Sequence, residues 1–261
     1  MSTFVQSFYQ GRVPPDALTG ESYRVLGCSR CGFLYQDRIL DQDGMQALYR
    51  DWIDSAGSLR KKQKAKVKLF RQYAGQIQTL IGLMPGAPAQ MRVLEYGMGW
   101  GYWSRMAQAH GVDVSGYELA AERRRHAQAM GVNVITELPP PGARFECIYA
   151  NQVFEHLPDP VATLQELCAR LAAGGLVYLR VPDGRGIAER LKGSGWSPEL
   201  QPIHPLEHIN CFTRKTLIEM AAQAGLKPLN PPVRLSWGSL WGGVKREIAD
   251  RFLTTHVIFR H

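Results

Sequence analysis

Residues 93–101 read VLEYGMGWG. The apolar pair Val93 and Leu94 leads into Glu95 and Tyr96. Gly97, Gly99 and Gly101 then alternate ahead of a breaker-free stretch from Tyr102 to His110. The pattern is E-x-G-x-G-x-G, a strand entering a glycine turn and then a helix. Glycine takes backbone angles closed to other residues and, lacking a Cβ, lets a ligand approach the main chain. A dinucleotide fingerprint reads G-x-G-x-x-G, with its last glycine one position later and a pyrophosphate at the helix N-terminus. Here the spacing differs, and an acid precedes the first glycine.

Working outward, apolar runs alternate with helical ones. Strands are predicted over Val93 to Tyr96, Val112 to Tyr117, Val132 to Ile135, Phe145 to Ala150 and Leu176 to Val181. Helices are predicted over Tyr102 to His110, Ala120 to Met130 and Val161 to Leu171. Such alternation makes an α/β fold, a parallel sheet covered on both faces. The second strand ends in GYELA, which places Glu118 and Leu119 beside the glycine turn. A carboxylate there can accept from both hydroxyls of a ribose. Beyond the sheet, Thr213 can cap a helix that Gly225 ends.

Glu95 to Gly101 followed by Glu118 resembles the cofactor-binding signature of class I S-adenosylmethionine-dependent methyltransferases, over the chain from about Val93 to the C-terminus. FECIYANQVFEHLPDP and LAAGGLVYLRVPD agree with the same family. The resemblance implies a Rossmann-like, mostly parallel seven-stranded sheet, with VIFRH as a last edge strand in the place of its antiparallel seventh strand. It implies S-adenosyl-L-methionine as cofactor. Glu95, Tyr96, Gly97, Gly99 and Gly101 would hold the methionine part, and Glu118 with Leu119 the ribose. Thr136, Glu137 and Leu138 would flank the adenine, with Asn151 at the cofactor's edge. Fold alone does not guarantee chemistry, and a non-catalytic cofactor-binding protein is the reading from outside enzymes.

Methyl transfer from a sulfonium is an in-line displacement, so an enzyme mainly positions the acceptor, and a base near neutral pKa helps when the acceptor is a hydroxyl or activated carbon. His156, His204 and His208 all fall in segments expected at the sheet's C-terminal edge. In HPLEHINCFT, Glu207 and His208 are similar to a glutamate-histidine pair in sugar C-methyltransferases, although Pro205 and Leu206 stand where aromatics often occur there. Glu207 and His208 are therefore the candidate catalytic residues, as base or substrate ligand. His156 and His204 rank behind them.

Residues 1–56 read as a small lobe, a strand-turn-strand and then a helix. Cys28 and Cys31 in C-x-x-C-G resemble one knuckle of the zinc-binding lobe of those sugar-modifying relatives, but no Cys or His precedes Cys28 to complete four ligands. A degenerate, metal-free lobe is expected. Residues 57–90 read as one long amphipathic helix from Ser58 to Met84 plus a linker, and residues 91–261 as the methyltransferase domain. The run RKKQKAKVK from Arg60 and the whole chain's net charge of +8 favour acidic partners.

No apolar run approaches a membrane span, the first residues lack the marks of a signal peptide, and five scattered cysteines suggest no disulfide framework, so a cytoplasmic protein is expected. The acceptor expected is a small molecule, a sugar or glycan precursor with phosphorylated or nucleotide-linked forms included, and oxygen is preferred over carbon. An RNA methyltransferase using the Arg60 to Arg71 face is the alternative. It ranks second because aromatics do not interleave with the charges and the fourth strand ends in NQVF rather than the signature of base amino-group methylation. Glycine and tryptophan around Trp196, Trp237 and Trp241 suggest either a lid and acceptor pocket or a simple cover for the sheet edge.

Overall fold

The protein is represented by a computed structural model, which describes residues 2–20, 22–193, 202–229 and 255–261. The chain opens with α1 (Ser2–Phe8) and an antiparallel ribbon of β1 (Val25–Gly27) and β2 (Leu34–Gln36). The Cys28 to Gly32 turn closes the ribbon, with Gly32 N–H donating to the Cys28 carbonyl at 2.8 Å. Next, α2 (Gln42–Ala47) passes directly into a π-helical turn, Leu48–Trp52.

The helix expected over 58–84 is in fact two, α3 (Ser55–Gln63) and α4 (Val67–Leu83), with Lys66 extended between them. The reason is electrostatic. A continuous helix would stack Arg60 on Lys64, Lys62 on Lys66 and Lys64 on Lys68, and like charges at i,i+4 oppose helix formation. The break lets the Lys62 ammonium donate to the Tyr73 hydroxyl at 3.0 Å and lie 5.6 Å from the centre of the Tyr73 ring.

The central sheet then builds through β3 (Arg92–Tyr96), α5 (Tyr102–Ala109), β4 (Asp113–Tyr117), α6 (Ala121–Ala129), β5 (Asn133–Ile135), β6 (Phe145–Asn151), α7 (Pro160–Cys168) and β7 (Leu171–Arg180). There follow α8 (Ile187–Lys192), the short β8 (Asn210–Cys211), α9 (Arg214–Gln223), β9 (Lys227–Leu229) and β10 (His256–Arg260). The strand order is β5-β4-β3-β6-β7-β10-β9. The first five of these run parallel, and β10 lies antiparallel between β7 and β9. This is the mostly parallel seven-stranded sheet expected, with the last strand reversed as expected; β10 is not the edge strand expected, however, because β9 pairs along its outer side and forms the edge. Thr213 caps α9 by accepting from Thr216 N–H, and Gly225 leaves it at φ +76.

Alternation along the strands sorts the core onto the two sheet faces. Leu94, Ile148, Ala150, Val177 and Leu179 pack toward Leu164 and Leu167 of α7 and Leu217 and Met220 of α9. Val93, Cys147, Tyr149, Leu176 and Tyr178 pack toward Tyr73, Ile77 and Leu80 of α4 and Trp103 of α5. On this second face Trp103 stacks on Tyr149 at 3.9 Å between ring centres, and Tyr149 on Tyr178 at 5.0 Å.

β8 does not join the central sheet. It pairs with β2, so the N-terminal ribbon becomes three-stranded in the order β1-β2-β8. The segments around Trp196, Trp237 and Trp241 lie outside the described residues.

Candidate active site

The glycine turn sits where β3 ends, and its three glycines do three different things. Gly97 N–H and Met98 N–H both donate to the Tyr117 carbonyl, at 2.9 and 3.0 Å, which locks the turn to the neighbouring strand. A Cβ on Gly97 would lie 2.5 Å from a methyl of Val153, and one on Gly101 would lie 2.7 Å from the Ala127 Cβ, so these two permit close packing. A Cβ on Gly99 would meet nothing within 4 Å. Its φ of +56 turns the backbone toward open space, the room a bound ligand requires.

Glu118 anchors this turn. One carboxylate oxygen accepts from Gly99 N–H and the other from Ala120 N–H, each at 2.9 Å. Arg123 stands 4.0 Å away and 5.8 Å from the centre of the Trp100 ring, whose indole N–H donates to Ser58 of α3 at 3.1 Å. The N-terminal helices therefore reach over the cofactor turn. Leu119 is 70% exposed beside Glu118, an apolar side chain free to lie against a flat ring. Glu137 is exposed and Leu138 half-buried just past β5.

Glu95 is buried and accepts from the Ser104 hydroxyl in the first turn of α5. Burial pushes its carboxyl up to about 8, against the hydrogen bonds from Ser104. Tyr96 stacks on Tyr117 at 5.3 Å, closing that side of the turn. Asn151, at the end of β6, has a buried side-chain oxygen without a hydrogen-bond partner. An open cradle at Gly99, a carboxylate beside it, an exposed apolar side chain and an orphaned acceptor fit a ligand with ribose hydroxyls, a flat base and an ammonium group.

On the same sheet edge the three histidines of the sequence reading come together. His156 and His208 meet edge to face at 4.9 Å between ring centres, and His204 and His208 at 4.2 Å. The short helical turn Phe154–His156 is tied to β8 by Asn210, whose amide donates to the carbonyls of Phe154 and Leu157. His156 Nδ1 lies 2.8 Å from the Glu207 carbonyl. Burial, with His208 adjacent, pushes both His156 and His204 down to about 3, so both imidazoles are neutral.

The N-terminal lobe grips this cluster, which no local pattern in the sequence announces. The Tyr9 hydroxyl donates to Glu207, Gln36 donates to the carbonyls of His204 and His208, and Phe4 and Phe8 pack on the His204 ring. Burial holds the Glu207 carboxyl above the usual carboxylate range despite the Tyr9 bond. Gln152 and Leu206, next to Asn151 and Glu207, take left-handed backbone angles of +58 and +74, a strain of about 1–2 kcal/mol each that concentrates at functional segments. The sequence reading also missed Glu155. Its side chain is fully buried, and neither oxygen has a hydrogen-bond partner. The one available signal was its place beside His156 in FEHLPDP.

Comparison with known proteins agrees with this geometry. Residues 65–230 match a family model described as a methyltransferase domain. The chain is 31% identical over 168 residues to a ubiquinone biosynthesis O-methyltransferase of Bordetella avium, covering 58% of this chain and 67% of that one. It is 25% identical over 220 residues to a trans-aconitate 2-methyltransferase of Rhodopseudomonas palustris, covering 81% and 74%. Its fold is similar to that of the plantazolicin methyltransferase BpumL, solved with a pentazolic desmethylPZN analog and SAH. There the TM-score is 0.55 at 13% identity, covering 83% of this chain and 93% of that one.

The chain belongs to the methyltransferase-domain family. It is a class I enzyme whose cofactor is S-adenosylmethionine. Among the described residues no helix is long and apolar enough to cross a membrane.

Proposed function

We propose that this enzyme methylates an oxygen atom of a small molecule, and that the acceptor is a sugar or glycan precursor. The observation that carries the reading is the placement of Glu207 and His208, in a cluster of one buried and two half-buried imidazoles, on the sheet edge that also carries the glycine turn and Glu118. Ligands of open α/β sheets bind at that edge. Oxygen is favoured because similar proteins are named O-methyltransferases, of ubiquinone biosynthesis and of malonyl-[acyl-carrier protein]. The sugar assignment is narrower. Its supports are the Glu207-His208 segment and the Cys28 to Gly32 turn, both similar to features of sugar-modifying relatives.

When bound, S-adenosylmethionine supplies an electrophilic methyl group on sulfur. Everything else falls to this chain. Glu118 would accept from the ribose hydroxyls, Leu119, Glu137 and Leu138 would flank the adenine, and Asn151 would take an ammonium hydrogen. Glu95, Tyr96, Gly97, Gly99 and Gly101 would shape the space for the methionine part. Glu207 and His208 form the acceptor side, where an imidazole takes the proton of an acceptor hydroxyl or holds the acceptor in line.

The test is incubation with methyl-labelled S-adenosylmethionine and three acceptor sets: nucleotide-linked sugars, dihydroxy aromatics and polycarboxylic acids. Label entering a sugar hydroxyl supports the full reading. Label entering only an aromatic hydroxyl or a carboxylate keeps oxygen transfer and removes the sugar. Glu118→Ala is expected to weaken S-adenosylhomocysteine binding by about 1–3 kcal/mol in calorimetry, and an unchanged affinity would remove Glu118 from the cofactor site.

A further inference from the structure

We infer that Glu155, His156 and His208 form a binding site for one divalent transition-metal ion on the acceptor side of the cleft. The sequence assigns no metal ligand to any of the three, and the role proposed for His208 is that of base or substrate ligand.

Three observations carry the inference. One ligand atom from each residue falls in a cluster whose members all lie within 4.8 Å of one another. Within it, Glu155 Oε1 is 3.8 Å from His156 Nε2, inside the roughly 4.2 Å that two bonds of 2.1 Å can span. The remaining atoms need only a small inward rotation. Next, the Glu155 side chain is fully buried, yet no donor reaches either oxygen. Two buried carboxyl oxygens without partners are costly, and a cation at the cluster would satisfy them. Lastly, His156 is already set as a ligand. Its Nδ1 faces the Glu207 carbonyl at 2.8 Å, so Nδ1 carries the proton and Nε2 keeps its lone pair toward Glu155. A backbone carbonyl on the second ring nitrogen is the usual way a ligating histidine is oriented.

Two imidazoles and one carboxylate suit zinc, cobalt, iron or manganese rather than calcium or magnesium. The His156 side chain keeps 20% exposure, so an ion can enter from the cleft. Three protein ligands leave a coordination position open for water or an acceptor oxygen, and a bound cation makes such an oxygen easier to deprotonate. That use of the ion rests on the oxygen-acceptor reading, and there His208 would act as a ligand and not as a free base. Binding of the ion does not depend on that reading.

The probe is Co2+ alone, added to full-length protein freed of metal by chelation, with no cofactor or acceptor present. The expected result is a visible d–d absorption band that saturates at one equivalent. Glu155→Gln and His208→Gln should each weaken binding at least tenfold, with circular dichroism and S-adenosylhomocysteine affinity unchanged. Independently of any variant, hyperfine-shifted proton resonances of the Co2+ form should report two imidazoles and no cysteine methylene. Absence of a saturable band overturns the proposal. So does a band that Glu155→Gln leaves unchanged, or one lost in the Cys28→Ser, Cys31→Ser double variant. Because no methyl transfer is measured, failure here leaves the acceptor reading standing, and a failed acceptor screen leaves this site standing.

Discussion

The Tyr9 hydroxyl donates a 2.8 Å hydrogen bond to the carboxylate of Glu207, joining residues 198 apart in sequence. Tyr9 is buried, and burial with the adjacent carboxylate holds its hydroxyl far above the usual tyrosine range, so it stays a donor. Tyr9→Phe strips a largely buried carboxylate of that donor and should cost about 1–3 kcal/mol in urea unfolding. Adding Glu207→Gln should recover part of the loss, because the remaining group is then neutral. A double-mutant cycle with zero coupling would show that the bond contributes nothing.

The glycine turn predicts a separation of stability from binding. Gly97→Ala drives a Cβ against Val153 and should lower the melting temperature clearly. Gly99→Ala meets no protein atom and should cost only about 1 kcal/mol of backbone strain. Calorimetry should nevertheless show a larger loss of S-adenosylhomocysteine affinity for Gly99→Ala, since its Cβ enters the ligand's space. Equal affinities for the Gly99 variant and wild type would mean that the cofactor does not cross this glycine.

Glu95 gives stability a particular dependence on pH. Its carboxyl titrates near 8 in the folded protein instead of the ordinary 4.5. Between those values the unfolded chain has released this proton and the native state retains it, so this residue makes stability fall as pH rises through the window. Glu95→Gln should flatten that decline and melt higher than wild type above pH 8. Parallel melting curves for both proteins across the window would contradict it.

Gln36 holds the carbonyls of both His204 and His208 from the other side of the lobe boundary. Gln36→Leu should loosen the histidine loop without reaching Glu118. KM for the acceptor should rise several-fold, with S-adenosylhomocysteine affinity unchanged. A fall in cofactor affinity of the same size would mean that the two halves of the cleft are mechanically one.

What was legible in the sequence is what short-range physics determines. The glycine turn, the acid after β4, the strand-helix alternation and the Thr213 cap each depend on neighbours a few residues apart, and each stands where it was expected. The break between α3 and α4 was legible too, but only by weighing lysine repulsion against apolar periodicity, and periodicity alone suggested one helix. The antiparallel β10 followed from family likeness, not from its own five residues. Contacts such as Tyr9 with Glu207, or Asn210 with Phe154, join segments whose sequences carry no mark of each other. The burial of Glu155 is of the same kind, because a glutamate beside a histidine looks solvent-exposed until the fold closes over it.

The small three-stranded sheet sets an order of events during synthesis. A ribbon of two three-residue strands is marginal alone, and its third strand is β8, at residues 210–211. The part of the lobe made early therefore waits until most of the chain has been made before it can lock. Contacts of such long range are slow to form. A chain halted before Asn210 would hold Tyr9, Gln36 and the Cys28 turn without the partner that fixes them, and would be the form most exposed to proteases and to aggregation.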